Sequence, residues 1–284
     1  MSSAIRLGTR GSALALAQAK LVADALGGAE IVAVRGEPPT AGGGDKARFV
    51  RGVEDALLAE EVDVGVHSAK DLPAELPDQL RLAGVPAREA PADAFVGDAP
   101  ALDEVRAGAR IGTSSLRRRA QLLAVRPDLE VTELRGNVDT RLGRLADGDF
   151  DGIVLATAGL RRLGREDEIA FRFDARAMTP AAGQGALALE ARREDEPAAA
   201  AAARISDATA LVEVTAERAA VGELAATCRT PVGVRAELSD GRLRADAFVG
   251  LPDGSEWVRD TVEGDPEDPV ALGRALAERL VAAG

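Results

Sequence analysis

Short aliphatic runs alternate with segments of helical periodicity in the first part of the chain. Strands are predicted at 4–8, 30–34 and 62–66, and helices at 13–26 and 49–61. Residues 36–48 are rich in Gly and Pro and predict a loop. This alternation indicates βαβ units and a largely parallel sheet.

The same rhythm starts again near residue 92. Strands are predicted within "DAFVG", "ARIGTSS", "EVTELRG" and "FDGIVLA", and helices within "ALDEVRAG", "LRRRAQLLAV" and "NVDTRLGRLADG". The later run "ALALEA" has no obvious partner nearby and is predicted to return to the first sheet. We therefore predict two similar α/β domains flanking a cleft, made of residues 1–86 with 187–203 and of residues 92–179.

The pattern changes in the last part of the chain. Strands of alternating polarity are separated by "SDG" and "PDG" turns, which is typical of an antiparallel meander. The helical segment "DPVALGRALAERLVAAG" follows and can cover one face of that meander. The pattern predicts a small α+β domain over residues 208–284.

Composition excludes several classes of function. The formal net charge is −12 and aromatic residues make up 2% of the chain, so nucleic acid is a poor partner. No leader pattern and no long apolar run is present, which predicts a cytoplasmic protein that does not bind a membrane. With one Cys and one His we predict no disulfide within the chain and no metal site. We expect a monomer.

The stretch "GTSSLRRR" places a glycine, three hydroxyl residues and three arginines at a predicted helix start. Free backbone N–H groups at such a start bind anions, and arginines add bidentate donors. With ~100° between successive helical residues, Arg117 and Arg118 are predicted to point away from the apolar face, and Arg119 to lie beside it. A solvated basic face is the alternative, but cations in a first helical turn oppose the helix dipole.

Other arginines also fall where predicted strands end. They are Arg10 in "TRGS", Arg135 and Arg141 in "RGNVDTRL", and Arg161 and Arg162 in "AGLRR". Because strand ends of α/β sheets line ligand crevices, the set predicts a cleft for a strongly anionic ligand. Solvent-facing salt bridges are the competing explanation for each arginine alone.

Two further segments carry candidate chemistry. In "VHSAKDLP", Lys70 and Asp71 follow a predicted buried strand, and nearby positive charge would keep Asp71 ionised for proton transfer or for stabilising a cation. A plain turn before Pro73 is an equal alternative. In "TCRTPVG", Arg229 favours the thiolate of Cys228, which predicts nucleophilic or covalent attachment chemistry.

Seven segments in order resemble the signature segments of the hydroxymethylbilane synthases, also called porphobilinogen deaminases. They are "TRGS", "VHSAKDLP", "GTSSLRRRAQL", "RGNVDTRL", "LATAGLRRLG", "AAGQGA" and "TCRTPVG". The resemblance implies three domains, the first two like periplasmic binding proteins. It also implies a transferase that joins four porphobilinogens head to tail with loss of ammonia and then releases linear hydroxymethylbilane by hydrolysis.

The resemblance also implies roles for individual residues. Asp71 matches the catalytic aspartate, and Cys228, preceded here by Ala226 and Thr227, matches the thioether attachment of a dipyrromethane cofactor. The positions expected to hold acetate and propionate groups are Arg10, Ser12, Lys46, Lys70, Thr113, Ser115, Arg117, Arg118, Arg135, Arg141 and Arg162. The loop at 36–48 matches the family's lid.

Two other functions would explain part of these features. A non-catalytic anion-binding protein of the periplasmic type would explain the arginines but neither Asp71 nor Cys228. A phosphate-handling enzyme would use "GTSSLR", but the chain has no P-loop ending in Gly-Lys-Ser/Thr.

Overall fold

The computed structural model describes residues 4–34, 45–227 and 230–284. The chain divides into two compact units: unit 1 is Met1–Glu89 with Ala186–Val214, and unit 2 is Ala90–Gly185 with Thr215–Gly284. Helix α7 (Ala208–Glu223) spans the boundary at Val214.

Unit 1 is built on a five-stranded mixed sheet. Its strands are β1 (Arg6–Arg10), β2 (Glu30–Val34), β3 (Val64–Ser68), β4 (Leu80–Gly84) and β10 (Leu187–Arg192), and its helices are α1 (Ala13–Leu26), α2 (Asp45–Leu58) and α6 (Glu196–Arg204). The strand order is β2-β1-β3-β10-β4. Strands β1, β2 and β3 run parallel, whereas β10 is antiparallel to both of its neighbours.

Burial of aliphatic side chains accounts for the packing of unit 1. Leu7, Val64 and Val66 are almost wholly buried against Val22 of α1 and Leu189 of β10. Residues two apart along a strand share a face, so Leu7, Val64, Val66 and Leu189 form the apolar face that packs on α1. On the other face, Val53 and Leu57 of α2 lie over Gly65. The sheet is consequently covered on both sides.

Unit 2 repeats the same strand order in a second sheet. Its strands are β5 (Asp93–Gly97), β6 (Arg110–Gly112), β7 (Glu130–Thr132), β8 (Gly152–Ala156) and β9 (Phe171–Arg172), with helices α3 (Leu116–Val125), α4 (Val138–Ala146) and α5 (Thr157–Arg162). The order is β7-β6-β8-β5-β9, with β6 parallel to β7 and β8 and with β5 antiparallel to both neighbours. Strand β5 therefore takes the place that β10 takes in unit 1.

The end of the chain forms the predicted meander. Strands β11 (Val232–Ser239), β12 (Arg242–Gly250) and β13 (Trp257–Gly264) pair antiparallel in that order, and α8 (Pro269–Ala283) packs against them. Asp240 and Gly241 both have positive φ, as a two-residue hairpin turn of mirror-image type requires. The predicted fold class, α/β with a small C-terminal α+β part, is confirmed.

Some details differ from the prediction. The sheets are mixed rather than largely parallel, because β10 and β5 run antiparallel to both of their neighbours. The edge strands β4 and β9 were not predicted. The predicted helix "ALDEVRAG" is only a short 3-10 turn, Leu102–Glu104. No helix within the described parts of the chain is long and apolar enough to cross a membrane.

Candidate functional site

Two adjacent parallel strands bring the first group of predicted residues together. Strand β1 ends at Arg10 and β3 ends at Ser68, so both carboxyl ends lie at one edge of the unit 1 sheet. A short 3-10 helix, Ala69–Asp71, follows β3 directly and carries Lys70 and Asp71. Ser12 caps α1 by accepting a hydrogen bond from the Ala15 N–H at 3.3 Å. The strand ends thus assemble residues that are distant in sequence.

A cavity opens at this edge of the sheet. Its lining comes from β1, α1, α2, β3 and the turn after β3, and the residues are Arg10, Ser12, Leu14, Ala15, Gln18, Val50, Val66, His67, Ser68 and Asp71. Burial lowers the pKa of Arg10, and the negative charge of Asp71 raises it again. A cation and a carboxylate therefore face the same cavity, an arrangement that can hold an anion beside a group able to transfer a proton.

Gln18 fixes the end of β3. The Gln18 side-chain nitrogen donates to Ser68 Oγ at 3.0 Å, and Ser68 Oγ donates to Gln18 Oε1 at 3.1 Å. Gln18 is buried in α1, and Ser68 immediately precedes the turn that carries Asp71. Sequence reasoning missed Gln18, although a polar residue between the apolar positions Ala15, Ala19 and Val22 was a detectable signal.

The arginine run of unit 2 lies at the start of α3. Ser115 caps this helix by accepting from the Arg118 N–H at 3.4 Å, and Thr113 Oγ1 accepts from the Ser115 N–H at 3.2 Å. Arg117 Nη1 lies 2.8 Å from Asp93 Oδ2, and Arg118 Nη2 lies 2.7 Å from Asp93 Oδ1. The side chains of Arg117 and Arg118 are 5% and 6% exposed, and that of Asp93 is 0% exposed.

The predicted orientation of these arginines was wrong. Arg117 and Arg118 lie on the buried side of α3 together with Ala120, Gln121 and Leu122, not away from it. Burial alone would raise the pKa of Asp93, but the charges and hydrogen bonds of the two arginines lower it well below its ordinary value. The ionised carboxylate compensates both guanidinium groups, which is why a helix can bury them.

Arg119 forms hydrogen bonds with two backbone carbonyl groups. Its Nη1 donates to the Val131 carbonyl at 2.6 Å and its Nε donates to the Pro252 carbonyl at 3.2 Å. Pro252 lies in the connection between β12 and β13, so Arg119 ties the C-terminal hairpin to strand β7.

Gln184, which lies in the segment "AAGQGA", and Asp93 are residues to which the sequence analysis assigned no role. The Gln184 amide donates to Asp93 Oδ1 at 2.8 Å and to the Pro91 carbonyl at 2.6 Å. Asp93 heads the apolar segment "DAFVG", and a charge at the start of a buried strand beside an arginine run was the available signal.

The remaining predicted arginines of unit 2 lie nearer the surface. Arg135 pairs with Glu133 at 2.8 Å, Arg141 donates to the Gly136 carbonyl at 2.9 Å, and Arg162 donates to the Gly185 carbonyl at 2.6 Å. Arg141 lies in α4 and Arg162 lies in α5, the helices that follow β7 and β8.

Three predictions cannot be placed. Cys228 lies outside the described residues, as does most of the predicted lid at 36–48. Lys46 falls within α2, but its side chain also lies outside the description.

Two family models together match nearly the whole chain. The family model for "Porphobilinogen deaminase, dipyromethane cofactor binding domain" matches residues 5–200, and that for "Porphobilinogen deaminase, C-terminal domain" matches residues 211–282. A porphobilinogen deaminase of Roseiflexus sp. is 43% identical, covering 99% of this chain and 97% of the relative. Those of Syntrophus aciditrophicus and Thermus thermophilus are each 44% identical and cover 99% and 98% of this chain, and 96% and 95% of the relatives.

Among solved structures, a TRAP periplasmic solute binding protein from Desulfovibrio salexigens matches with 10% identity and a TM-score of 0.42. The match covers 72% of each chain.

Proposed function

The chain belongs to the porphobilinogen deaminase family, and we propose that it is a hydroxymethylbilane synthase. In this proposal four porphobilinogen molecules are joined head to tail with loss of ammonia, and hydrolysis releases the linear hydroxymethylbilane. The observation that carries the proposal is the pairing of Arg10 with Asp71 in one cavity at the ends of two parallel strands. We also propose a monomeric, cytoplasmic enzyme, in keeping with the composition.

The residues present fit a polycarboxylate cofactor such as the dipyrromethane. Arg117 Nε is buried and has no hydrogen-bond partner among the described residues, so this guanidinium keeps a donor for a ligand. When bound, the dipyrromethane supplies the pyrrole carbon to which the first porphobilinogen is joined. We propose Cys228 as its attachment point.

The arginines and hydroxyls bind and orient carboxylates in this proposal. Those proposed to hold acetate and propionate groups are Arg10, Ser12, Lys46, Lys70, Thr113, Ser115, Arg117, Arg118, Arg135, Arg141 and Arg162. Planar guanidinium groups donate hydrogen bonds to both oxygens of a carboxylate, which fixes the orientation of a pyrrole as well as its position.

Asp71 is the proposed catalytic residue. The positive charge of Arg10 favours the ionised carboxylate, which can stabilise positive charge on a substrate and accept a proton from it. The non-catalytic alternative, an anion-binding protein, is not favoured because the similarity to porphobilinogen deaminases covers nearly the full length of both chains.

Intact mass spectrometry of the purified protein tests the covalent part of the proposal. We expect an added mass of two linked pyrrole units in the native protein and none in Cys228→Ser. Turnover of porphobilinogen by a protein that is unmodified at Cys228 would refute the attachment.

The role of Asp71 is tested by an isosteric variant. Asp71→Asn removes the charge without changing the shape, and kcat should fall by about 10²–10⁴-fold, the usual contribution of a proton-transfer group. The matched control is Asp78→Asn, at an exposed position in the loop before β4, which should turn over normally. Near-normal activity of Asp71→Asn would exclude its catalytic role.

A further inference from the structure

A buried glutamine of α3 holds the backbone of the segment between β9 and β10. Gln121 and Thr179 are each 1% exposed. The Thr179 N–H donates to Gln121 Oε1 at 2.7 Å, and Gln121 Nε2 donates to the Thr179 carbonyl at 2.9 Å. One side-chain amide thus binds both polar backbone groups of Thr179 and fixes them against α3. The chemistry proposed above does not use Gln121.

The Thr179 carbonyl also binds the arginine run. Arg117 Nη1 donates to this carbonyl at 2.7 Å and to Asp93 Oδ2 at 2.8 Å, so both of its N–H groups are used. A carbonyl oxygen has two lone pairs, and here Gln121 and Arg117 each take one. The position of the Gln121 amide therefore determines where on this oxygen Arg117 can bind.

Two anchors set the plane of the Arg117 guanidinium. One is Asp93, which is itself held by Arg118 and Gln184, and the other is the Thr179 carbonyl. With Nη1 held by both anchors, Arg117 Nε stays buried without a hydrogen-bond partner among the described residues. A buried N–H without a partner costs free energy, so a ligand that accepts from Nε gains by binding there.

The C-terminal meander holds the amide pair from the other side. A Cβ at Gly233 of β11 would lie 2.5 Å from the Thr179 carbonyl oxygen, so the backbone of β11 packs directly on that group. Arg259 of β13 donates to Gln121 Oε1 at 3.2 Å, and its guanidinium carbon lies 5.2 Å from the centroid of the Phe248 ring. Both Gln121 and Thr179 are therefore fixed by the meander as well as by each other.

We propose that Gln121 is a positioning residue for Arg117: by holding the Thr179 carbonyl, it orients the Arg117 guanidinium and keeps Nε available to a ligand carboxylate. Porphobilinogen and the tethered dipyrromethane both carry carboxylates in the proposed reaction, so one donor geometry suits either. This inference rests on the proposed function. Gln121 acts through Thr179 and Arg117, and its effect is on binding rather than on a proton-transfer step.

The main test is Gln121→Met, which keeps the length of the side chain and loses both hydrogen bonds. If the carboxylate belongs to porphobilinogen, KM should rise by about 10-fold or more, the weight of one hydrogen bond to a charged group, with kcat nearly unchanged. If it belongs to the dipyrromethane, the purified variant should lose its added mass in intact mass spectrometry. Either result supports the positioning role and identifies the ligand.

A second variant reaches the same carbonyl without changing Gln121. In Gly233→Ala the new methyl group would displace the Thr179 carbonyl, so we expect the same change in KM or added mass as in Gln121→Met. This variant keeps the proposal open to refutation if Gln121→Met does not fold.

Arg119→Met is the matched control. Arg119 lies on the same helix and also binds two backbone groups, the carbonyls of Val131 and Pro252, which are not the carbonyl that binds Arg117. Its melting temperature should fall about as much as that of Gln121→Met, while KM and added mass stay at the wild-type values. The same outcome in Gln121→Met would overturn the proposal, because it is what a purely structural role predicts.

The Nε–H of Arg117 gives a readout that needs no turnover. In proton–nitrogen NMR its signal is identified by its absence from Arg117→Lys. We expect this signal to move in Gln121→Met and in Gly233→Ala and to keep its position in Arg119→Met. An unmoved signal in Gln121→Met would overturn the proposal. Failure of the proposed function is separately visible, since the wild type would then neither turn over porphobilinogen nor carry an added mass, whatever the NMR signal does.

Discussion

The two five-stranded sheets place a buried carboxylate on the corresponding strand but surround it with different side chains. Asp93 on β5 and Glu190 on β10 are both 0% exposed, and each lies on the antiparallel strand between the central strand and an edge strand. Asp93 receives two arginines and the amide of Gln184, whereas Glu190 receives one imidazole. The same sheet order therefore supports two clusters of different composition.

The difference follows from the chemistry of the cations. Arginine keeps its proton across the whole accessible pH range, so the unit 2 cluster stays charged as long as Asp93 is ionised. The unit 1 carboxylate has a histidine in place of these arginines, and neither of its oxygens accepts a hydrogen bond from the described residues. Unit 2 thus gives its buried carboxylate more hydrogen-bond donors than unit 1 gives to Glu190.

The largest expected effect comes from removing the carboxylate of unit 2. Asp93→Ala leaves Arg117 and Arg118 buried without a counter-charge, and we expect the free energy of unfolding to fall by about 3–5 kcal/mol. The exposed Asp98→Ala is the control and should change it by less than about 0.5 kcal/mol. Urea unfolding measures the free energy of unfolding of both variants. A loss below about 1 kcal/mol for Asp93→Ala would show that Asp93 does not compensate the charges of Arg117 and Arg118.

Filling the space over Gly65 tests the unit 1 cluster by shape rather than charge. In Gly65→Ala the new methyl group would lie 2.9 Å from His67 Nε2 and from Val53 Cγ1, so we expect a loss of about 1–3 kcal/mol. The matched control is Gly143→Ala in α4, where a Cβ meets nothing within 4 Å. That change should stabilise the protein by about 0.5–1 kcal/mol. Equal thermal stability of the two variants would contradict the crowding at Gly65.

Arg119 gives a smaller effect within the arginine run. Arg119→Ala removes hydrogen bonds to the carbonyls of Val131 and Pro252, and we expect the free energy of unfolding to fall by about 1 kcal/mol. Porphobilinogen turnover should be unchanged, in contrast to Arg117→Ala and Arg118→Ala. A loss of turnover in folded Arg119→Ala would place this residue in the binding group as well.

The smallest expected effect is on the pH dependence of stability. The pKa of Glu54 is raised in the folded protein, so its contribution is fully present below the unfolded value of about 4.3 and is lost as pH rises through the folded value. The free energy of unfolding of Glu54→Gln should therefore fall less than that of the wild type as pH rises above about 4.3. Asp93 has a lowered pKa and acts oppositely, since its contribution is lost as pH falls. Chemical unfolding at a series of pH values separates the two signs.

Periodicity predicted the fold class well because most elements are amphipathic or apolar along their length. Helix α3 was predicted over the residues that form it, and the meander was found from its turn residues. Strands β4 and β9 were missed because both pair at a sheet edge, where the alternation of buried and exposed positions is weak, and β9 is only two residues long. The division into three domains stays a prediction.

The sequence predicted candidate site residues, whose roles stay predictions, but it did not predict their pairings. Arg10 and Asp71 were identified, and the structure places them in one cavity. The burial of Arg117 and Arg118 could not be foreseen from a helical wheel, because their partner Asp93 lies 24 and 25 residues earlier and on another element. Hydrophobic patterning treats arginine as polar surface, and only tertiary structure reveals a compensating charge.

The place of β10 has a consequence for the order in which the protein folds during synthesis. Among the described strands, β4 pairs with β10 alone, so it has no partner until residue 187 and those after it have left the ribosome. The second sheet draws all of its strands from residues 93–172 and can close earlier. The N-terminal sheet is therefore completed last of the two, and its open edges at β3 and β4 are the part of the nascent chain most exposed to wrong pairing.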